Sequence, residues 1–198
     1  QALRRDGCRW DKETSAQAAR GGHLAVLQWV MGEDCVWGLP TFRCAAEGGH
    51  RKCVEWLFQE GCPWDASVCA AAAGGGHLAL LAWMRGHGFP WDEETANLAA
   101  RQGHLDVMQW ALAKGAPFGR EVGRYAAIGG HLNVLAWMAA EGLMEMDGMW
   151  CREAARGGHM ELLQWLHTAH GAVLNEDVMA AAAGGGHLGV VRWLREQG

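Results

Sequence analysis

AARGGHLAVLQW, residues 18–29, returns almost unchanged as AARGGHMELLQW at 154–165. Between and beyond these copies the dipeptide Gly-His recurs at His23, His50, His77, His104, His131, His159 and His187, at intervals of 27, 27, 27, 27, 28 and 28 residues. Two alanines precede each at fixed distance, from Ala18/Ala19 to Ala182/Ala183. A tryptophan follows six residues after each: Trp29, Trp56, Trp83, Trp110, Trp137, Trp165 and Trp193. Self-similarity at a fixed period of this size marks stacked supersecondary units, none of which buries its apolar face alone.

Each copy reads as two short helices. In PWDEETANLAARQGHLDVMQWALAKG, residues 90–115, Asp92 suits an N-cap and Glu93 and Glu94 suit the positive end of a first helix. Gln102-Gly103 breaks that helix, and a second begins at His104 or Leu105. Leu105, Met108 and Ala111 or Leu112 form its apolar stripe, widened by Val107 and Trp110. Gly115 stops it, as do Gly61, Gly88, Gly142, Gly171 and Gly198 in other copies. The units run approximately 7–34, 35–61, 62–88, 89–115, 116–142, 143–171 and 172–198. Residues 1–6 read as the tail of a preceding unit, so the expectation is one repeat array forming part of a longer one, or an array with covered ends. Seven helix pairs at ~8–10 Å per layer give an expected rod or arc of about 60 Å.

The pattern A-A-x-x-G-H-L-x-V-L-x-W-x-x-x-x-x-G resembles the ankyrin repeat across the whole chain. Two departures stand out. The T-P-L-H opening is replaced by forms such as PWDEET at 90–95, and the unit is about six residues short of the usual 33. The resemblance implies an all-α, ankyrin-like helical repeat solenoid with short loops in place of projecting hairpins. It also implies a non-enzymatic scaffold that binds a protein partner through the variable concave face of its first helices. The alternative is a structural subunit of a larger assembly, or the recognition arm of a multidomain protein with a catalytic part elsewhere.

Composition narrows the classes further. Of 198 residues, half are hydrophobic and 20% charged, which is globular rather than disordered. The net charge of -5 argues against nucleic acid. No apolar run reaches the ~18 residues of a membrane span, so no membrane insertion is expected. Seven cysteines without a CxxC pair read as free thiols in an intracellular, cytoplasmic compartment.

Several features invite chemistry and are read as packing. The histidines lie one layer apart, roughly 10 Å, too far for a shared metal. Each is expected at the turn, bonding backbone groups left open at helix ends. His167 and His170, three residues apart, are the remaining metal candidate, weighed against solvated surface histidines. The seven second-helix tryptophans, and the loop series Trp10, Trp37, Trp64, Trp91 with Phe118 in the next copy, are expected to pack in the core. Cys8, Cys35 and Cys62 share a loop slot, and Cys44, Cys53 and Cys69 take helical slots, all as small apolar filler. GGGH at 74–77 and 184–187 lacks the GK[ST] ending of a phosphate loop. No catalytic residue, cofactor, metal or small-molecule substrate is expected.

Recognition then falls to the positions that differ between copies. Three before each histidine stand Arg20, Glu47, Gly74, Arg101, Ile128, Arg156 and Gly184; seven before stand Ala16, Arg43, Ala70, Asn97, Arg124, Arg152 and Ala180. The candidate partner-binding residues are Arg20, Arg43, Glu47, Asn97, Arg101, Arg120, Arg124, Ile128, Arg152 and Arg156, a basic stripe suited to an acidic segment of a protein partner. Acidic Glu55, Asp106 and Glu161 recur early in the second helices.

Overall fold

A computed structural model describes residues 11–32, 35–143 and 148–197. Trp10, Cys8, Gly198 and the 1–6 segment lie outside the described residues. Among the described residues, helices occur in seven pairs: α1 Lys12–Arg20 with α2 Leu24–Gly32, α3 Leu39–Glu47 with α4 Arg51–Gln59, α5 Ala66–Gly74 with α6 Leu78–Gly86, α7 Glu93–Gln102 with α8 Leu105–Ala113, α9 Glu121–Gly129 with α10 Leu132–Ala140, α11 Met149–Gly157 with α12 Met160–His170, and α13 Glu176–Gly184 with α14 Leu188–Gln197. Among the described residues there is no strand, so plain loops replace the hairpins. The fold is the all-α, ankyrin-like helical repeat array that the residue pattern implied.

The chain divides into two compact units, 1–96 with 110–117, and 97–109 with 118–198. Helices α1 to α6 belong to the first and α9 to α14 to the second, with α7 and α8 contributing to both. Within each unit, first helices pack on first helices: α1 on α3 and α3 on α5, then α9 on α11 and α11 on α13.

Local chemistry starts and stops each helix. Asp11 accepts from the Glu13 and Thr14 amides at 3.0 and 3.2 Å, and Asp65, Asp92 and Asn175 cap α5, α7 and α13 in the same manner. The stop glycines 61, 88, 115, 142 and 171 all have positive φ, ending the second helices as left-handed caps. The paired alanines are buried, save Ala183, which lets neighbouring first helices approach closely. In the second helices the buried stripe falls three, four and seven residues after the histidine, as in Leu80, Leu81 and Met84, or Leu162, Leu163 and Leu166.

The tryptophan expectation needs correction. Trp29 is 43% exposed, Trp64 39%, and the other nine described members of the two series, Trp37 and Phe118 among them, are half-buried. At ~100° per residue, a position six after the histidine lies well round the helix from the stripe. It sits on the rim of the core, not inside it. There the indoles stack sideways: Trp64 on Phe89 at 4.7 Å, Trp91 on Trp110 at 5.9 Å, Phe118 against Trp137 at 6.3 Å. Arginines cover two of them, Arg51 over Trp83 and Arg85 over Trp91. Among the described residues the one fully buried indole is Trp150, at a first-helix slot outside both series.

Candidate functional site

The recurring histidine is a latch between layers. His50 Nε2 donates to the Arg20 carbonyl at 2.7 Å, and His77 to Glu47 at 2.9 Å. His131 donates to Arg101 at 2.9 Å, His159 to Ile128 at 3.0 Å and His187 to Arg156 at 2.9 Å. Each accepting carbonyl ends the first helix of the preceding unit, one of the acceptors that a helix C-terminus leaves open. Sequence placed the ring at the turn; the structure adds that it reaches back to the layer before. The ring also lies on the glycine of that layer's own Gly-His pair, His50 on Gly22 and His159 on Gly130, where a Cβ would overlap it.

Burial holds the His131 imidazole below its usual range, opposed by its bond to the Arg101 carbonyl and reinforced by His159 and His104. The folded ring therefore takes up a proton at lower pH than the unfolded one, whose midpoint is ~6.5. Its contribution to stability is complete above that range and is lost as pH falls through the folded value. Thermal unfolding followed between pH 7.5 and 5.5 should show a falling midpoint, and His131→Gln should make the decline shallower. An equal decline in both proteins would show that the ring is not a source of it.

The two remaining metal candidates have other partners. His167 Nδ1 donates to the Ala172 carbonyl at 2.9 Å, and His170 lies against Trp165 at 4.3 Å. No group of three metal-ligating side chains occurs among the described residues. The cysteines there are free, and Cys35, Cys53, Cys62, Cys69 and Cys151 are buried. Burial pushes the Cys62 and Cys69 thiols up to about 12 and Cys151 to about 11, which removes the thiolate that nucleophilic chemistry needs. Among the described residues no helix is long and apolar enough to cross a membrane.

The variable positions divide by unit. In the first, Arg20 pairs with Glu47 at 2.9 Å, both side chains about half exposed. Such a pair at the surface contributes little, ~0–1 kcal/mol. Arg43 is exposed and has no ion-pair partner among the described residues. In the second unit Arg101 is exposed, while Asn97 is 6% exposed and offers a partner little surface. Ile128 is half-buried and Arg120 exposed.

Around α9 and α11 lies a residue that sequence reasoning passed over. Glu153 is buried, its side chain 6% exposed, and three arginines surround it. Arg124 Nε lies at 3.6 Å, Arg152 at 3.7 Å and Arg156 at 3.4 Å from its carboxylate. Arg124 also pairs with Glu121 at 3.0 Å, and that hydrogen bond, against a smaller effect of burial, pushes the guanidinium further up. The run Arg152-Glu153-x-x-Arg156 carries the signal, an acid with arginines one before and three after it. So ordinary a helical pattern does not reveal that the preceding first helix, α9, supplies a third arginine and closes off water. Three cations against Glu121 and Glu153 leave one positive charge in excess. Glu55 is itself paired with Arg51 at 2.7 Å, and Asp106 and Glu161 are exposed.

No protein-family model matches this sequence, and no curated protein is significantly similar to it. Among solved structures, the chain is similar to the crystal structure of the human ASB11 ankyrin repeat domain. The TM-score is 0.62 at 17% identity, over 93% of this chain and 97% of that one. At that identity the likeness speaks to the fold, and it agrees with the ankyrin-like reading of the repeat.

Proposed function

We propose that the chain is a non-enzymatic scaffold that binds a protein partner through the side chains of its first helices, docking an acidic segment. One observation carries this reading. The latch between layers uses only the backbone carbonyl of the position three before each histidine. Stacking is therefore indifferent to the side chain there, which is free to be Arg20, Glu47, Arg101, Ile128 or Arg156. Selection for a partner acts on those side chains without disturbing the array. Arginine predominates among them, on a chain whose net charge is negative, and its planar fork suits carboxylates. The buried thiols and the histidines already bonded to backbone support a role without chemistry of its own.

Random peptides displayed on phage and selected on the purified chain test this directly. Enriched sequences should carry an excess of Asp and Glu, and their binding should weaken with salt, since exposed charges are screened beyond ~10 Å at 0.1 M. The variant Arg43→Glu, Arg101→Glu, Arg152→Gln should bind them at least about tenfold more weakly, the loss of one or more charge-assisted hydrogen bonds. Enrichment without acidic bias, or binding untouched by the triple variant, would sink the proposal.

A further inference from the structure

The cluster around Glu153 borders a cleft of about 380 Å³ lined by Arg152, Arg156, Asp177, Ala180, Ala181 and Gly184. Its shape follows from a step in the sequence. The positions held by Arg152 and Arg156 on α11 are held by Ala180 and Gly184 on α13. Two long cationic side chains thus stand beside two of the smallest, and the difference in length leaves the hollow. We propose that this cleft receives one Asp or Glu side chain of an extended peptide, its carboxylate gripped by Arg152 and Arg156. The proposal rests on the acidic-partner reading above and gives that reading a place.

The charges favour such an occupant. Arg124 pairs with Glu121 at 3.0 Å while its Nε, like that of Arg152, is buried without a hydrogen bond, and the contacts of Arg152 and Arg156 with Glu153, at 3.7 and 3.4 Å, are longer than strong hydrogen bonds. The Nε of Arg152 is buried with no hydrogen-bond partner, and so is Glu153 Oε1. A guanidinium has five donors, so Glu153 orients the pair without saturating it. It anchors the arginine heads where an arriving carboxylate finds them already ordered. Asp177 is the one acidic residue on the lining, exposed in the first turn of α13. It repels a bare anion, yet it accepts from backbone N–H groups on either side of a peptide's acidic residue. The site therefore selects a carboxylate carried on a peptide over a free one. Ala180, Ala181 and Gly184 carry no side-chain donor that competes for the ligand.

The test uses the full chain, labelled with nitrogen-15, at low salt. The probes are Ac-GSGEGSG-NH2, its Gln counterpart, and acetate. The Glu peptide should shift the amides of Ala180, Ala181 and Gly184 and bind at least about tenfold more tightly than the Gln peptide. Arg152→Gln and Arg156→Gln should each weaken it severalfold. Ala180→Leu fills the cleft on an exposed helix position without changing charge, and should weaken it about as much. Asp177→Asn should weaken the peptide while strengthening acetate. Wild-type affinity in Ala180→Leu, with weaker binding in Arg152→Gln, would overturn the cleft and leave the wider acidic-partner reading standing. No preference for Glu over Gln in the unaltered chain overturns the cleft and removes the charge argument behind that reading as well.

Discussion

Alanine at Gly130 is expected to lower the stability of the chain by about 3–6 kcal/mol, the sum of left-handed strain, overpacking and a lost hydrogen bond. Gly130 has φ +75°, and a Cβ there would overlap the His159 imidazole. The substitution therefore adds three costs: strain of ~1–2 kcal/mol for a side chain in the left-handed region, displacement of a packed ring, and loss of the bond from His159 to the Ile128 carbonyl. Gly142 separates these terms. Its φ is +68°, close to that of Gly130, but a Cβ there meets nothing within 4 Å. Gly142→Ala should cost only the strain, ~1–2 kcal/mol. Urea unfolding of the two variants measures the difference, and equal midpoints would mean that the ring does not latch one layer to the next. The comparison bears on function, because the proposed freedom of the side chains three before each histidine depends on a latch that ignores them.

Some of this was legible in the residues and some was not. The interval of 27 or 28, the paired alanines and the stop glycines give helix pairs, and the positive φ of Gly61 and Gly115 agrees with their role as stops. The histidine's place at the turn was equally readable. Its direction was not, because a ring at a turn reaches its own helix end or its neighbour's, and only stacking geometry chooses. The tryptophans mislead for a different reason. Regular recurrence marks a structural slot, but a slot on the rim recurs as faithfully as one in the core. The distinction lay in their offset from the stripe of Leu81 and Met84, not in their regularity. Asn97 was chosen as a surface candidate by its register, which it shares with Arg43, Arg124 and Arg152. Its shorter side chain leaves it 6% exposed, where an arginine at the same register reaches the surface. Glu153 escaped notice because its burial depends on Arg124, from another helix.

The buried Trp150 shows how neighbouring layers are matched to one another. Its indole occupies the space that a side chain at Gly123 would need: a Cβ on Gly123 would overlap the six-membered ring. The corresponding contact between α1 and α3 is made by small polar groups, with Ser15 Oγ and Thr41 Oγ1 hydrogen-bonded at 3.0 Å. The same slots are thus filled in complementary ways, two mid-sized groups in one place, and a void receiving a knob in the other. Trp150→Ala should cost about 3–5 kcal/mol, the range for emptying a core aromatic site. Trp137→Ala, on the half-wet rim, should cost less. Gly123→Ala is the more telling change. Alanine is favoured over glycine inside a helix by ~1 kcal/mol, yet in the native chain the clash with Trp150 should make this substitution destabilising. In the Trp150→Ala background the clash is gone, and the same substitution should become stabilising. Four proteins unfolded in urea complete the cycle, and a coupling of at least ~1 kcal/mol is expected for residues in such contact. Additive effects would show that α9 and α11 do not recognise each other through this pair. A coupled pair instead makes the order of the layers a property of their side chains, so that exchanging the repeat at 143–171 for another copy would leave a hole beside Gly123.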